Sequence, residues 1–309
     1  MNIVLRIQRV VLLVSAALAL VAPAAGAGEP GSAGALFLRV GVGARASGMG
    51  EAFTAIAADA SAMYWNPGAM AAVLGTDVVL VHNEYLQSVR LEQAALTHET
   101  DFGTFGLSFT GLFTGDMERR DDAPTSMPLG EFGASDIAFA VAYSRYVVPN
   151  VAVGASVKGI VQKIDQEDAN GLAVDVGIYH VSRVEGLRLA AVVGNLGKPM
   201  KFLEEEYALP RYVKVGGSYA RDIAAIRGGV QFALDLVFPN DDDGRQHVGV
   251  EFDYERRFFL RAGYKAGYDS QGATFGLGAR HREFSLDYAW LPVGNDLGDS
   301  HRFGIGLSL

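Results

Sequence analysis

Six consecutive residues, Gly41-Val42-Gly43-Ala44-Arg45-Ala46, follow an apolar stretch and match the GxGxxA pattern that can cradle a dinucleotide pyrophosphate, with Asp59 downstream. The rest of a βαβ unit is missing, so the run reads as a loop in which backbone approaches a neighbour closely. There is no GxSxG elbow, no HExxH and no phosphate-binding loop, which leaves nucleophile and metalloenzyme chemistry without a starting residue. His82, His98, His180, His247, His281 and His301 show no metal-ligand spacing and read as strand-end or loop residues with ordinary hydrogen bonds. Asp241-Asp242-Asp243-Gly244 offers hard oxygen ligands but lacks the later bidentate Glu of a helical calcium loop, so a solvated turn is expected. Met200, Phe202 and Leu203 precede Glu204-Glu205-Glu206 in a long connection and are candidates for touching a hydrophobic ligand, a partner or the outer leaflet. No catalytic, cofactor or metal site is expected, and the chain does not read as an enzyme.

The charge balance narrows the partners. In 309 residues, 26 Lys and Arg face 35 Asp and Glu, for a net charge of -9 and no basic run. A nucleic-acid partner is therefore not expected. With no Cys there is no disulfide framework, thiolate metal site or lipid-modified N-terminal Cys. At the N-terminus, Arg6 and Arg9 precede an apolar run from Val10 to Val21 that only Ser15 interrupts, and the small residues Ala22, Ala24, Ala25 and Ala27 follow. This is the layout of a cleavable secretory signal peptide over 1–27, with cleavage after Ala27 or Ala24. The apolar core is too short for the roughly 20 residues that a membrane-spanning helix needs. No later window of 18 consecutive apolar residues occurs, so any membrane insertion must use something other than helices.

The elements that must position the charged residues are legible from residue 76 onward. Apolar residues recur at every second position, as in Val230, Phe232, Leu234, Leu236 and Phe238, or Phe284, Leu286, Tyr288 and Trp290. Between them lie small or polar residues such as Asp175, Asp235, Glu251, Asp253 and Asp287. This alternation predicts strands with one greasy and one polar face. About fourteen segments can be placed, beginning near 76, 88, 102, 135, 150, 170, 185, 211, 228, 246, 257, 271, 282 and 301. Links of a few residues at 100–101, 148–150, 182–186, 222–226, 255–256 and 281–282 alternate with longer ones at 114–134, 197–210, 239–245 and 292–300.

Such alternation suits an all-β, transmembrane, antiparallel up-and-down barrel with short turns at one end and long loops at the other. A soluble sandwich has no reason to sort loop lengths by parity. Tyr85, Tyr143, Tyr146, Tyr219, Tyr264, Tyr288 and Trp290 are expected at the membrane–water boundary. Lys158, Asp175, Asp235, Glu251, Asp253, Arg261, Lys265, Arg280 and Asp287 are expected in the lumen, where opposite charges pair and pin whatever fills it.

Residues 28–75 break the pattern, being rich in Ala and Gly without period-two aromatics. Asp59 can cap a short helix from Ala60 to Trp65, which Asn66-Pro67-Gly68 would end. A fourteen-stranded lumen is wide enough to need filling, so 28–75 is read as a hatch and 76–309 as the barrel.

The run from Gly43 to Ala57, which contains Arg45, Glu51 and Phe53, closely resembles the hatch of the FadL-type hydrophobic-compound transporters, as does the run from Asp59 to Pro67. It looks closer still to their PorV/PorQ branch, through Gly186-Leu187-Arg188-Leu189, Asn195-Leu196-Gly197, Leu209-Pro210, Arg261-Ala262-Gly263-Tyr264-Lys265, Leu286-Asp287-Tyr288 and His301-Arg302-Phe303. The departures are Asn66-Pro67-Gly68 in place of the family's Asn-Pro-Ala, and Leu309 in place of a terminal aromatic.

The resemblance implies a fourteen-stranded barrel in the bacterial outer membrane, surrounded by outer-membrane lipid and inserted by the barrel-assembly machinery. It implies one of two activities: receiving and shuttling secreted cargo proteins, as in type IX secretion, or passing hydrophobic small molecules. A structural barrel with a sealed lumen is the third reading. Arg45, Glu51, Phe53, Asp59, Asn66 and Pro67 are the hatch and gating candidates.

Overall fold

The computed structural model describes residues 31–56, 59–85, 89–120, 127–295 and 298–309. The expected signal peptide, 1–27, lies outside them. From residue 76 the chain forms β1 (Thr76–Glu84), β2 (Arg90–Thr100), β3 (Gly103–Phe113), β4 (Met117–Arg119), β5 (Gly130–Phe132), β6 (Ala134–Val148), β7 (Val151–Ile164), β8 (Glu167–Val181) and β9 (Leu187–Leu196). There follow β10 (Met200–Phe202), β11 (Glu205–Tyr207), β12 (Tyr212–Ile223), β13 (Gly228–Pro239), β14 (Arg245–Tyr254), β15 (Phe258–Ala266), β16 (Ala273–His281), β17 (Phe284–Val293) and β18 (Gly298–Ser308).

Fourteen of these strands close one antiparallel barrel in sequence order, with β1 pairing β18 from Asp77 opposite Ser308 to Glu84 opposite His301. Closure leaves no unpaired edge, which an apolar surrounding would penalise heavily. The remaining four strands form two small hairpins, β4–β5 and β10–β11, inside the two longest connections. The barrel strands begin within three residues of their expected positions, the largest offsets being 167 against 170 and 298 against 301.

The pleat sorts the faces as the alternation predicts. Phe232, Leu234, Leu236 and Phe238 point outward and are exposed, whereas Ala233, Asp235 and Val237 are buried inside. One feature of the loops differs from expectation: β7 and β8 join through the two-residue turn 165–166 at the end where the other loops are long. β6, β7 and β8, at 15, 14 and 15 residues, are the longest strands, so this part of the wall stands taller than the rest. Tyr85 also departs from the boundary belt; it lines an internal cavity.

The N-terminal segment threads through the barrel from the long-loop end to the short-turn end. At its start the Gly31 N–H donates to the Asp241 carbonyl and the Gly34 N–H to the Ala208 carbonyl. At its finish the Gly75 N–H donates to Glu99, and the next residue, Thr76, exchanges backbone hydrogen bonds with Leu309. Between these ends lie two short helices, Ala44–Gly48 and Ala62–Trp65, and two 3-10 turns, Leu36–Arg39 and Pro67–Ala72. The core of the protein is where this segment meets the inner wall: Phe53, Met63, Trp65 and Met70 pack with Leu91, Tyr179 and Ala233. Glycines make the contact close. A Cβ on Gly48 would lie 2.9 Å from the Gly276 Cα, and one on Gly68 would lie 2.6 Å from the Gly177 carbonyl oxygen.

Candidate functional site

The charged lumen residues and the N-terminal segment form one connected site. Glu51 has a φ of 63°, in the left-handed region that side chains seldom adopt, and is buried. Its carboxylate accepts from Lys265 Nζ at 2.8 Å and lies 3.5 Å from Arg302 Nη1. Burial alone would raise this carboxyl, but Lys265 and Arg302 hold it at about 2, so it stays ionised. Arg302 also donates to the Gly41 carbonyl at 2.6 Å and to Ser47 Oγ at 2.5 Å. His247 bridges segment and wall, with Nδ1 3.3 Å from the Glu51 carbonyl oxygen and Nε2 2.8 Å from the Tyr268 hydroxyl.

A second ionic chain lies nearer the short-turn end. Arg45 forms a fork with Glu251 at 3.0 and 2.8 Å, Glu251 accepts from Arg261 at 2.5 Å, and Arg261 reaches Asp287 at 2.6 Å. Asp59 lies 3.8 Å from Arg45. Asp59 also accepts from the Ser61 N–H at 2.9 Å, so it caps the turn before the helix, which begins at Ala62 and not at Ala60. Phe53 meets Trp65 edge to face with ring centroids 6.0 Å apart, and Arg45 lies 5.5 Å above the Phe53 ring. The Phe53 and Thr54 N–H groups both donate to Asp235 at 2.9 Å.

Asn66 is fully buried and joins three elements: it accepts from the Gly68 N–H at 2.9 Å and donates to the carbonyls of Thr54 and Ile178, each at 3.1 Å. Pro67 opens a 3-10 turn, so the chain tightens here instead of only ending a helix. All six hatch candidates are therefore gathered at the interface between segment and wall.

The three loop candidates separate. Met200 is buried with Phe37, Leu38 and Ile160, Phe202 packs beside that cluster, and Leu203 is exposed. The β10–β11 hairpin folds back over the lumen, held by the Tyr207 hydroxyl donating to Gln162 at 2.8 Å. Asp241 pairs with Arg39 at 2.5 Å and Asp242 pairs with Arg245, so two carboxylates of the acidic run already serve cations.

Between the segment and the wall lies a cavity of about 630 Å³, lined by Phe37, Glu51, Tyr64, Tyr212, Lys214, His247 and Tyr268 among others. The sequence reading missed Lys214, His247 and Arg302. The signal was present in strand parity: Arg302 precedes Gly304 and Gly306 on the polar face of β18, and Lys214 precedes Gly216 and Ser218 on that of β12.

Residues 14–192, more than half of the sequence, match the family described as Uncharacterised protein family (UPF0164). The chain belongs to this family. No curated protein sequence matches this UPF0164 member. Among solved structures it is similar to the Pseudomonas putida toluene transporter TodX, with a TM-score of 0.62 and 12% identity over 86% of this chain and 96% of that one. It is also similar to a Pseudomonas aeruginosa FadL homologue, with a TM-score of 0.58 and 12% identity over 86% and 97% of the two chains. At this identity the shared property is the fold, a closed fourteen-stranded antiparallel barrel.

Proposed function

We propose that the protein is an outer-membrane barrel, exported with 1–27 removed, whose lumen binds and passes a small molecule while residues 28–75 act as its hatch. The observation that carries this reading is the cavity of about 630 Å³ between segment and wall, a volume that suits a small ligand. The apolar outer face fits lipid, and insertion would fall to the barrel-assembly machinery. Arg45, Glu51, Phe53, Asp59, Asn66 and Pro67 hold the hatch, so passage requires some of their contacts to break. The solved neighbours include a toluene transporter and a FadL homologue, which supports a transport role without naming the solute.

A disulfide lock tests this. The chain has no Cys, and a Cβ on Gly304 would lie 3.5 Å from that of Ala44, within disulfide reach. In proteoliposomes, oxidised Ala44→Cys/Gly304→Cys should lose solute permeation and regain it on reduction. Permeation equal in both states would sink the hatch reading.

A second reading, capture of secreted cargo proteins in the PorV manner, draws on Leu129 and Leu203, exposed by 63% and 64% on the two hairpin-bearing loops. It predicts that Leu129→Asp/Leu203→Asp abolishes protein capture while leaving permeation intact.

A further inference from the structure

Five Lys and Arg side chains line the lumen cavity, and four of them meet a carboxylate: Arg39 with Asp241, Arg245 with Asp242, and Lys265 and Arg302 with Glu51. Lys214 is the exception. It is 8% exposed, and among the described residues no carboxylate lies within ion-pair distance of its ammonium. Its ammonium lies over two aromatic faces, with the ring centroids of Trp65 and Tyr212 at 4.7 and 4.8 Å. Asp235, two residues from Val237, the residue that pairs with Lys214 on the facing strand, spends one oxygen on the Phe53 and Thr54 N–H groups and the Thr54 hydroxyl.

A buried ammonium without an acid partner is costly, and aromatic faces recover only part of the lost hydration. The same arrangement is favourable once an anion enters: the cation is already desolvated, held by rings on two sides and open to the cavity. We infer that Lys214 anchors the oxyanion group of a small organic anion, a carboxylate or a phosphate ester, bound in this cavity. The body of the ligand lies along Tyr212, Tyr64 and Phe37, which line the same space. This inference rests on the small-molecule reading of the lumen and narrows it from apolar solutes to anionic ones.

The test is equilibrium binding to the full-length barrel in detergent, read by fluorescence of Trp65 in a Trp290→Phe background that leaves it the only Trp. The probes are benzoate, phenyl phosphate and neutral benzamide. Benzoate or phenyl phosphate should bind at least about tenfold more tightly than benzamide, and the tighter of the two identifies the oxyanion. Lys214→Met should remove that preference, while Lys214→Arg retains it, with heat-modifiable gel mobility confirming that each variant folds. Benzamide binding as tightly as the acids would overturn the anion site and leave the small-molecule reading standing. Binding of none of the probes would overturn the site as well, and the Ala44→Cys/Gly304→Cys lock then decides separately whether the lumen is a route.

Discussion

The carboxylate of Glu51 lies 2.8 Å from the ammonium of Lys265, a contact between residues 214 positions apart that joins the N-terminal segment to the wall strand β15. Because the pair is buried and Glu51 sits in a left-handed backbone conformation, the contact also fixes the local path of the segment. Its pH dependence has a definite sign. Glu51 is held at about 2 against an ordinary value of 4.5, so docking gains stability above pH 4.5 and loses it as pH falls toward 2. Hydrogen exchange of residues 44–56, corrected for the intrinsic pH dependence of amide exchange, should be flat from pH 7 to about 5 and then rise through that window. A rise centred above pH 5 would contradict the assignment.

Glu51→Gln should shrink that pH step and loosen the segment at neutral pH. It leaves Lys265 and Arg302 buried without their anion, a loss on the order of 3–5 kcal/mol for a broken buried pair. The barrel hydrogen bonds are untouched, so limited proteolysis should cut the segment while the boiling-sensitive gel shift persists. An intact segment would show that the pair contributes little.

Arg45 and Glu251 should be energetically coupled. Their forked contact is one link in a chain through Arg261 to Asp287. A double-mutant cycle with Arg45→Met and Glu251→Gln should give a coupling of about 0.5–3 kcal/mol in segment protection. Additive effects would mean that Arg261 alone satisfies Glu251.

Leu234 and Ala233 are neighbours with opposite fates. Leu234 faces outward, so Leu234→Arg places a charge in the apolar belt and should impair assembly by about 2–4 kcal/mol near the midplane. Ala233 packs against the N-terminal segment, so Ala233→Arg is not the mild lumen change that a wide, empty barrel would allow. It should unseat the segment while the barrel still assembles. Folding yield in lipid vesicles, with proteolysis of the segment, separates the two effects.

Asn66→Ala should destabilise the docked segment more than its size suggests. It strips a partner from the Gly68 N–H and from the Thr54 and Ile178 carbonyls, at about 1–3 kcal/mol for each buried group left unsatisfied. Calorimetry should show the segment melting earlier than the barrel. A single unchanged transition would argue that water replaces the amide.

Strand number, facing and loop parity were legible in the sequence because a strand's period of two is local: each residue's face follows from its neighbours, and Leu234 must point away from Asp235 whatever the rest of the chain does. The lumen charges were legible for the same reason, as Glu251, Arg261 and Asp287 all fall on polar parity. Their partners were not, since pairing depends on register around a closed ring and on where the segment lies inside it. Tertiary structure alone decided that Arg45 meets Glu251 while Glu51 meets Lys265. It also turned Met200 inward, because the hairpin packs that side chain against Phe37 and Ile160 over the lumen. Lys214 makes the distinction plain: parity places its side chain inside the barrel, but only the fold shows two aromatic rings against its charge and no described carboxylate within ion-pair distance of it.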